Sequence, residues 1–220
     1  MSIMLLSILA LSVGFEMRDV VADASGKDNA AALTLEVQGS TLRVADNGAV
    51  QIEAGPDVYH LETRFSYPGA SVGWNSLGKP ETPCETAWKP ALARLPDGSI
   101  EVRAAGTRYA LERKLHVDRH RIVVTDTLIN TGDQDVAIIC RHQLTAQEPF
   151  RPLLLGGADQ VGTSMTAPNP SVFVGQARSH LAWIAEDAVL RLQLSLATAE
   201  NQVRMSAERF ALKPGKQHTF

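Results

Sequence analysis

Cysteine is scarce in this sequence, and its scarcity excludes a class of site. The 220-residue chain holds two cysteines, Cys84 and Cys140, with no CxxC pair and no cysteine–histidine spacing of the zinc-binding type. We therefore predict no metal site, and no motif predicts a cofactor. A disulfide between Cys84 and Cys140 stays open, because the spacing in sequence does not fix their separation in space.

A strong excess of charge of one sign is also missing, as are a phosphate-binding loop and a recognisable pair of catalytic carboxylates. Lys and Arg total 21 against 24 Asp and Glu, and no basic run occurs, which excludes nucleic acid as a predicted partner. No G-x-x-x-x-G-K-[ST] phosphate-binding loop is present. No pair of carboxylates can be placed across a glycosidic bond from the pattern. We predict no catalytic residue.

Long hydrophobic runs are absent as well. The apolar stretch from Ile3 to Val13 falls short of the ~20 residues that span a bilayer, so we predict no membrane span. Its length suits a secretory signal and favours export to the periplasm or the medium, although no Lys or Arg precedes it. An ordinary buried first element is the alternative. Because residues 18–30 are polar, we expect an N-terminal segment over 1–30 and one domain over 31–220.

Helical periodicity is missing too, and what is present is alternation of apolar and polar residues. Four alternating segments with short turns between them fill residues 99–146, and Asn47-Gly48 is a typical hairpin turn. The pattern predicts an all-β fold, a sandwich of two antiparallel sheets. On one of the predicted strands, His60, Glu62 and Arg64 share a polar face, which is typical of a solvated surface.

Three polar residues interrupt the apolar face of the predicted strands: Arg113, Asp126 and His142. A two-residue turn at Asp118–Arg119 would put Arg113 opposite Val124 and diagonal to Asp126. A hairpin around Gly132 would bring His142 to the same face. Two interpretations stay open: a buried contact whose members satisfy one another, or a sugar-binding site on an open concave face.

Aromatic residues make up only 5% of the chain, yet two of its three tryptophans lie in the proline-rich segment 68–98. Trp74, its neighbour Asn75, and Trp88 could therefore contact a sugar, because an exposed indole stacks on a pyranose face. The alternative is that the tryptophans close the open end of the sandwich.

Several segments of the chain resemble a known module. They are "YALERKLHVDRHRIVVTDTLINTGDQDVAIICRHQL", "NPSVFVGQ", "AWIAEDAVLRLQL" and "ERFALKPGKQHTF". These runs are similar to the β-sandwich that precedes the catalytic barrel in large bacterial glycoside hydrolase-like proteins, a galactose-mutarotase-like supersandwich. The resemblance covers roughly 33–220. It implies a module that packs on the barrel and helps to shape a substrate cleft, while no barrel follows "HTF" here.

The resemblance therefore predicts a non-catalytic accessory module with a scaffold or glycan-binding function, whose partners would be a glycan and a missing barrel. A sugar epimerase of the mutarotase type is an alternative, in which His142 and either Glu62 or Glu186 would act as acid and base. A third hypothesis is a structural module that presents an apolar face to another domain. The candidate ligand-binding residues are Trp74, Asn75, Trp88, Arg113, Asp126 and His142.

Overall fold

Strands form nearly all of the regular structure in the computed structural model. It describes residues 6–11, 32–66, 73–79, 84–159, 164–166, 170–188 and 190–220, with the backbone alone for 6–11, 164–166 and 190. The strands are β1 (Leu6–Leu11), β2 (Leu33–Val37), β3 (Ser40–Val44), β4 (Val50–Ala54), β5 (Asp57–Ser66), β6 (Trp74–Leu77), β7 (Ala91–Arg94), β8 (Ile100–Ala105), β9 (Tyr109–Asp118), β10 (Arg121–Asn130), β11 (Val136–Ala146), β12 (Leu153–Leu155), β13 (Ala158–Asp159), β14 (Ser164–Thr166), β15 (Ser171–Gly175), β16 (His180–Ala185), β17 (Leu194–Ala199), β18 (Gln202–Leu212) and β19 (Gln217–Thr219). One 3-10 turn covers Leu190–Leu192. Within these ranges no helix is long and apolar enough to cross a membrane.

The strands form two antiparallel sheets, which confirms the predicted all-β sandwich. Sheet A runs β13-β12-β15-β16-β1-β10-β9-β8-β7, with β19 also on β10. Sheet B runs β14-β17-β18-β11-β5-β4-β3-β2, with β6 also on β5. Successive side chains of a strand point to opposite faces, so each sheet presents one apolar face to the other. On β5, for example, Tyr59, Leu61 and Phe65 are buried while His60 is exposed.

The backbone of β1 lies inside sheet A. Leu6–Leu11 pairs with β10 on one side and with β16 on the other. This position fits the alternative in which the apolar stretch is an ordinary first element of the sandwich. The rest of the predicted leader and linker, residues 1–5 and 12–31, lies outside the described residues. The division of the chain at residue 31 stays a prediction.

The turn between β9 and β10 differs from the predicted one. Asp118 pairs with Arg121, so the turn residues are Arg119 and His120 rather than Asp118 and Arg119. Arg119 has a φ of 57°, a left-handed conformation that is uncommon for residues other than glycine. The residue type therefore gives no cue to it in the sequence. The shift moves the register by two residues. Arg113 therefore lies directly opposite Asp126 and not opposite Val124.

The predicted hairpin between β10 and β11 is also wrong. After Asn130 the chain crosses from sheet A to sheet B, where β11 pairs with β5 and β18. The Asn130 side chain fixes this crossing, because its Nδ2 donates to the carbonyls of Gln134 and Leu212 at 2.8 Å each. A short polar connection suits a crossing as well as a hairpin, so the alternation of the flanking strands could not distinguish them.

Candidate functional site

An ion pair lies in the core between the sheets. Arg113 Nε donates to Asp126 Oδ1 and Arg113 Nη2 donates to Asp126 Oδ2, at 2.7 Å each. The two side chains are 0% and 2% exposed. The backbone of Asp126 is fixed as well, because it exchanges two hydrogen bonds with Phe220, at 2.7 and 2.8 Å. Such a bidentate pair offsets much of the cost of removing both charges from water.

The network continues into sheet B. Arg113 Nη2 also donates to Thr63 Oγ1 at 2.9 Å, and Thr63 Oγ1 lies 3.1 Å from His142 Nδ1. His142 Nε2 in turn lies 3.2 Å from Cys140 Sγ. The structure thus brings Arg113, Asp126 and His142 together, as predicted, but across the two sheets instead of on one face.

Burial sets the protonation states in this network. It lowers the pKa of His142 to about 4, and the Arg113 charge acts in the same direction while Asp126 opposes it. Burial also raises the pKa of the Cys140 thiol well above its ordinary value. For Arg113, burial acts to lower the pKa, but the charge and hydrogen bonds of Asp126 outweigh it and raise the pKa. At neutral pH the network therefore contains a guanidinium, a neutral imidazole and a thiol.

The same cluster contains potential metal ligands. Donor atoms of Asp126, Cys140 and His142 lie within 4.8 Å of one another. Both carboxylate oxygens of Asp126 already accept hydrogen bonds from Arg113, whose charge would repel a cation. The geometry therefore favours a buried contact between strands, in which Arg113 Nη1 is the one atom of the ion pair left without a hydrogen-bond partner among the described residues. Ligand binding by these side chains would require the sheets to separate, and it stays a prediction.

Trp88 closes one end of the sandwich. Its indole is 7% exposed, its Nε1 donates to the carbonyl of Ser76 at 2.9 Å, and its ring packs 5.7 Å from Phe65 and 5.6 Å from Tyr109. This geometry fits the alternative in which the tryptophan closes the fold. A sugar could not stack on the ring in this position.

Asn75 belongs to a second buried polar cluster, which the sequence analysis missed. Its Nδ2 donates to Tyr109 Oη at 2.9 Å, and its Oδ1 accepts from the backbone N–H of Glu85 at 3.1 Å. The buried Glu85 carboxylate accepts from the backbone N–H of Thr107 at 2.7 Å. Tyr109 donates to the carbonyl of Ser66 at 2.7 Å. The cluster attaches the loop around residue 85 to the sandwich, and no sequence pattern links its members.

Trp74 differs from the other candidates in that it lies on the outer face of sheet B. It is half-buried, and the Arg141 guanidinium carbon lies 4.5 Å from its ring centroid. A cation over an indole face is attracted by the ring quadrupole. Trp74 is thus the one predicted sugar-stacking residue whose surroundings include an accessible polar surface.

That surface is formed by the outward side chains of β4, β5, β11 and β18. Gln51, His60 and Thr145 form one cross-strand row. Glu62, Gln143 and Arg204 form the next row, and Arg64 and Arg141 the one after it. A cleft of about 420 Å³ opens over the first row and reaches Glu62 of the second. Its polar lining residues are Arg43, Gln51, His60, Glu62 and Thr145.

Alternation had placed His60, Glu62 and Arg64 on a polar face, but the rows depend on the strand order, which the sequence does not reveal. We call this surface the outer face of sheet B.

Two further expectations are corrected by the geometry. His142 cannot act with Glu62, because Glu62 pairs with Gln143 and therefore points to the outer face, whereas His142 points into the core. The Glu186 carboxylate accepts a hydrogen bond from Arg121 at the end of β10, and its pairing with His142 stays a prediction. Cys84 is exposed, Cys140 is buried and both are free, so no disulfide joins them.

Comparison with known proteins identifies the fold. No protein-family model and no curated protein matches the sequence. A solved structure described as a putative aldose 1-epimerase from Escherichia coli K12 is similar, with a TM-score of 0.52 over 86% of this chain and 96% of that chain. The fold is a galactose-mutarotase-like β-sandwich. At 10% identity the likeness extends to the fold alone.

Proposed function

We propose that the protein binds an aldose, free or as part of a glycan, on the outer face of sheet B. The observation that carries the proposal is the cleft of about 420 Å³, whose polar lining includes an imidazole, a carboxylate, a guanidinium, an amide and a hydroxyl. Such groups donate to and accept from sugar hydroxyls. The similar solved structure is described as a putative aldose 1-epimerase, and this description supports the choice of an aldose.

A second candidate function is 1-epimerisation, favoured by the positions of His60 and Glu62. They are two residues apart on one face of β5, which separates their Cα atoms by about 7 Å. In this reaction a base takes the proton of the anomeric hydroxyl and an acid protonates the ring oxygen, so that the bond between C1 and the ring oxygen breaks. Closure of the open-chain aldehyde from its other face gives the second anomer.

The accessory role beside a catalytic barrel is a narrower proposal than sugar binding. Packing on another domain usually requires a broad apolar surface. Among the described side chains, Leu192 is the one large apolar residue that is exposed. The polar cleft therefore supports sugar binding more directly than it supports a structural packing role.

The test is a sugar titration of the purified chain, followed by NMR chemical shifts and calorimetry, with mutarotation of α-glucose followed by polarimetry. His60→Ala and Glu62→Gln should each weaken binding about tenfold, because each removes hydrogen bonds to the sugar. Arg103→Ala is the matched control, since this exposed arginine of β8 lies on sheet A. Absence of binding to any sugar, or equal binding by all variants, would contradict the proposal. Faster mutarotation that needs both residues would establish epimerase activity.

A further inference from the structure

Three arginines on the outer face of sheet B lie outside the lining of the cleft. They are Arg64 on β5, Arg141 on β11 and Arg204 on β18, three adjacent strands. We propose that the aldose bound on this face carries an oxyanion, a carboxylate or a phosphate, which these guanidinium groups hold. This inference rests on the proposed sugar-binding function and names the chemical class of its ligand.

The position of Arg64 relative to Arg141 is the first observation. They are direct cross-strand partners in the register of β5 and β11. Like charges directly opposite each other on one face destabilise a sheet. A bound anion between the two guanidinium groups would convert this repulsion into attraction, and the planar fork of arginine matches a carboxylate or phosphate.

The neighbouring carboxylates do not balance the arginines. Arg141 Nη2 bonds Glu208 at 3.1 Å, and Arg64 Nη2 lies 3.8 Å from Glu62. Among these five described side chains, three guanidinium groups thus stand against two carboxylates, in a chain whose net charge is −3. The Nε atoms of Arg141 and Arg204 are buried with no hydrogen-bond partner in the described part of the chain, so protein acceptors do not satisfy either guanidinium fully.

Fixed geometry accompanies this charge. The Arg141 guanidinium lies over the Trp74 ring, which limits its rotation and leaves its edge for an anion. The register of β11 and β18 shifts at a bulge between Ile138 and Cys140, and Glu208 beside it accepts a hydrogen bond from Arg141. Because Arg64 and Arg141 lie one row beyond Glu62, which lines the cleft, the oxyanion would lie roughly 7 to 13 Å from His60 along β5. A hexuronate or a hexose phosphate ester has this extent.

The test compares neutral and anionic sugars on the same protein. Glucose, glucuronate and glucose 6-phosphate are titrated by calorimetry into the unmodified chain and into Arg64→Gln and Arg141→Gln. The matched control is Arg103→Gln on sheet A. We expect an anionic sugar to bind at least about tenfold tighter than glucose, and each variant to remove that advantage without changing the affinity for glucose. Added salt should weaken the anionic sugar alone.

The outcomes separate this inference from the proposed function. Tighter binding of glucuronate identifies a carboxylate ligand, and tighter binding of glucose 6-phosphate a phosphate ligand; either supports the inference. Glucose bound as tightly as both anions would overturn the inference and leave sugar binding intact. Binding of none of the three sugars would overturn both. The inference would also be overturned if Arg141→Gln lost affinity for glucose and for the anionic sugars together while Arg64→Gln stayed unchanged. Arg141 would then stabilise the cleft and would not bind an anion.

Discussion

Arg113 and Asp126 lie directly opposite each other on β9 and β10, joined by two hydrogen bonds of 2.7 Å. The same guanidinium also donates to Thr63 on β5. One side chain thus connects the two sheets of the sandwich through charge-assisted hydrogen bonds, at a depth where it is inaccessible to solvent. The relative position of the sheets should therefore depend on this contact.

The first prediction concerns Asp126→Asn. The change leaves the buried Arg113 charge without its counter-ion, and breaking a buried pair in this way costs about 3–5 kcal/mol of the free energy of unfolding. Urea unfolding followed by circular dichroism measures the loss. The exposed pair Arg43–Glu53 provides the control, and Arg43→Ala should cost far less. The double variant Arg113→Met with Asp126→Leu should recover most of the loss. If Asp126→Asn lowers the free energy of unfolding no more than Arg43→Ala does, the Arg113–Asp126 pair does not stabilise the sandwich as proposed.

Alternation predicted that Arg113, Asp126 and His142 share the apolar faces of their strands, but it did not decide between a buried contact and an open concave face. The partners of each strand were not predictable in the same way. The register of β9 and β10 depends on the left-handed conformation of Arg119, and the change of sheet after Asn130 depends on contacts with Leu212, 82 residues away. Such long-range contacts have no local signal.

The candidate site residues show the same contrast between local patterns, which the sequence reveals, and long-range contacts, which it does not. Trp88 and Asn75 were identified by residue type, yet both are held in buried contacts with Tyr109, which no local pattern links to them. The outer face of sheet B was visible only as one alternating segment, His60 to Arg64. Its significance as a surface comes from the pairing of β5 with β11, and strand order is a property of the whole fold.

The second prediction concerns pH. The pKa of His142 falls from 6.5 to about 4 on folding, because burial disfavours the imidazolium. Between these values the unfolded chain binds a proton that the folded chain does not, so stability falls as the pH drops from about 6.5 to 4. The loss approaches about 3 kcal/mol.

The measurement for this prediction is urea unfolding at intervals of pH. His142→Asn should flatten the slope. His116→Gln is the control, since burial and Lys114 lower the pKa of His116 in the same direction, but this residue is less enclosed. If the slope persists unchanged in His142→Asn, the imidazole is not the group responsible.

The third prediction distinguishes Trp74, on β6, from Trp88 by the cost of removing each indole. Trp88→Ala removes a buried indole packed on Phe65 and Tyr109 and should cost about 3–5 kcal/mol. Trp74→Ala removes a half-buried ring beside Arg141 and should cost much less, while it weakens binding of the sugar. Thermal unfolding and a sugar titration of both variants make the comparison. Equal destabilisation by the two changes would show that Trp74 is also a core residue.

The fourth prediction concerns Gly106. A Cβ at this position would lie 1.8 Å from Oε2 of Glu85, so the carboxylate must move. That oxygen accepts from the backbone N–H of Thr107 and is held in a buried cluster, so it cannot shift without losing its partner. Gly106→Ala should therefore cost about 1–3 kcal/mol. Gly55→Ala is a poor control because its φ is positive, whereas Gly132→Ala meets no atom nearer than 3.5 Å and should cost less.

The fifth prediction uses the two free cysteines as probes of the fold. Cys84 is exposed and should react with 5,5′-dithiobis(2-nitrobenzoate) in the native protein. Cys140 is buried beside His142, and burial raises its pKa, so neither access nor thiolate formation permits the reaction until the chain unfolds. The released nitrothiobenzoate should therefore correspond to one thiol in buffer and two in concentrated urea. Cys84→Ser should give no reaction in buffer, and reaction of its remaining thiol in the native protein would mean that the core around Arg113 opens to solvent.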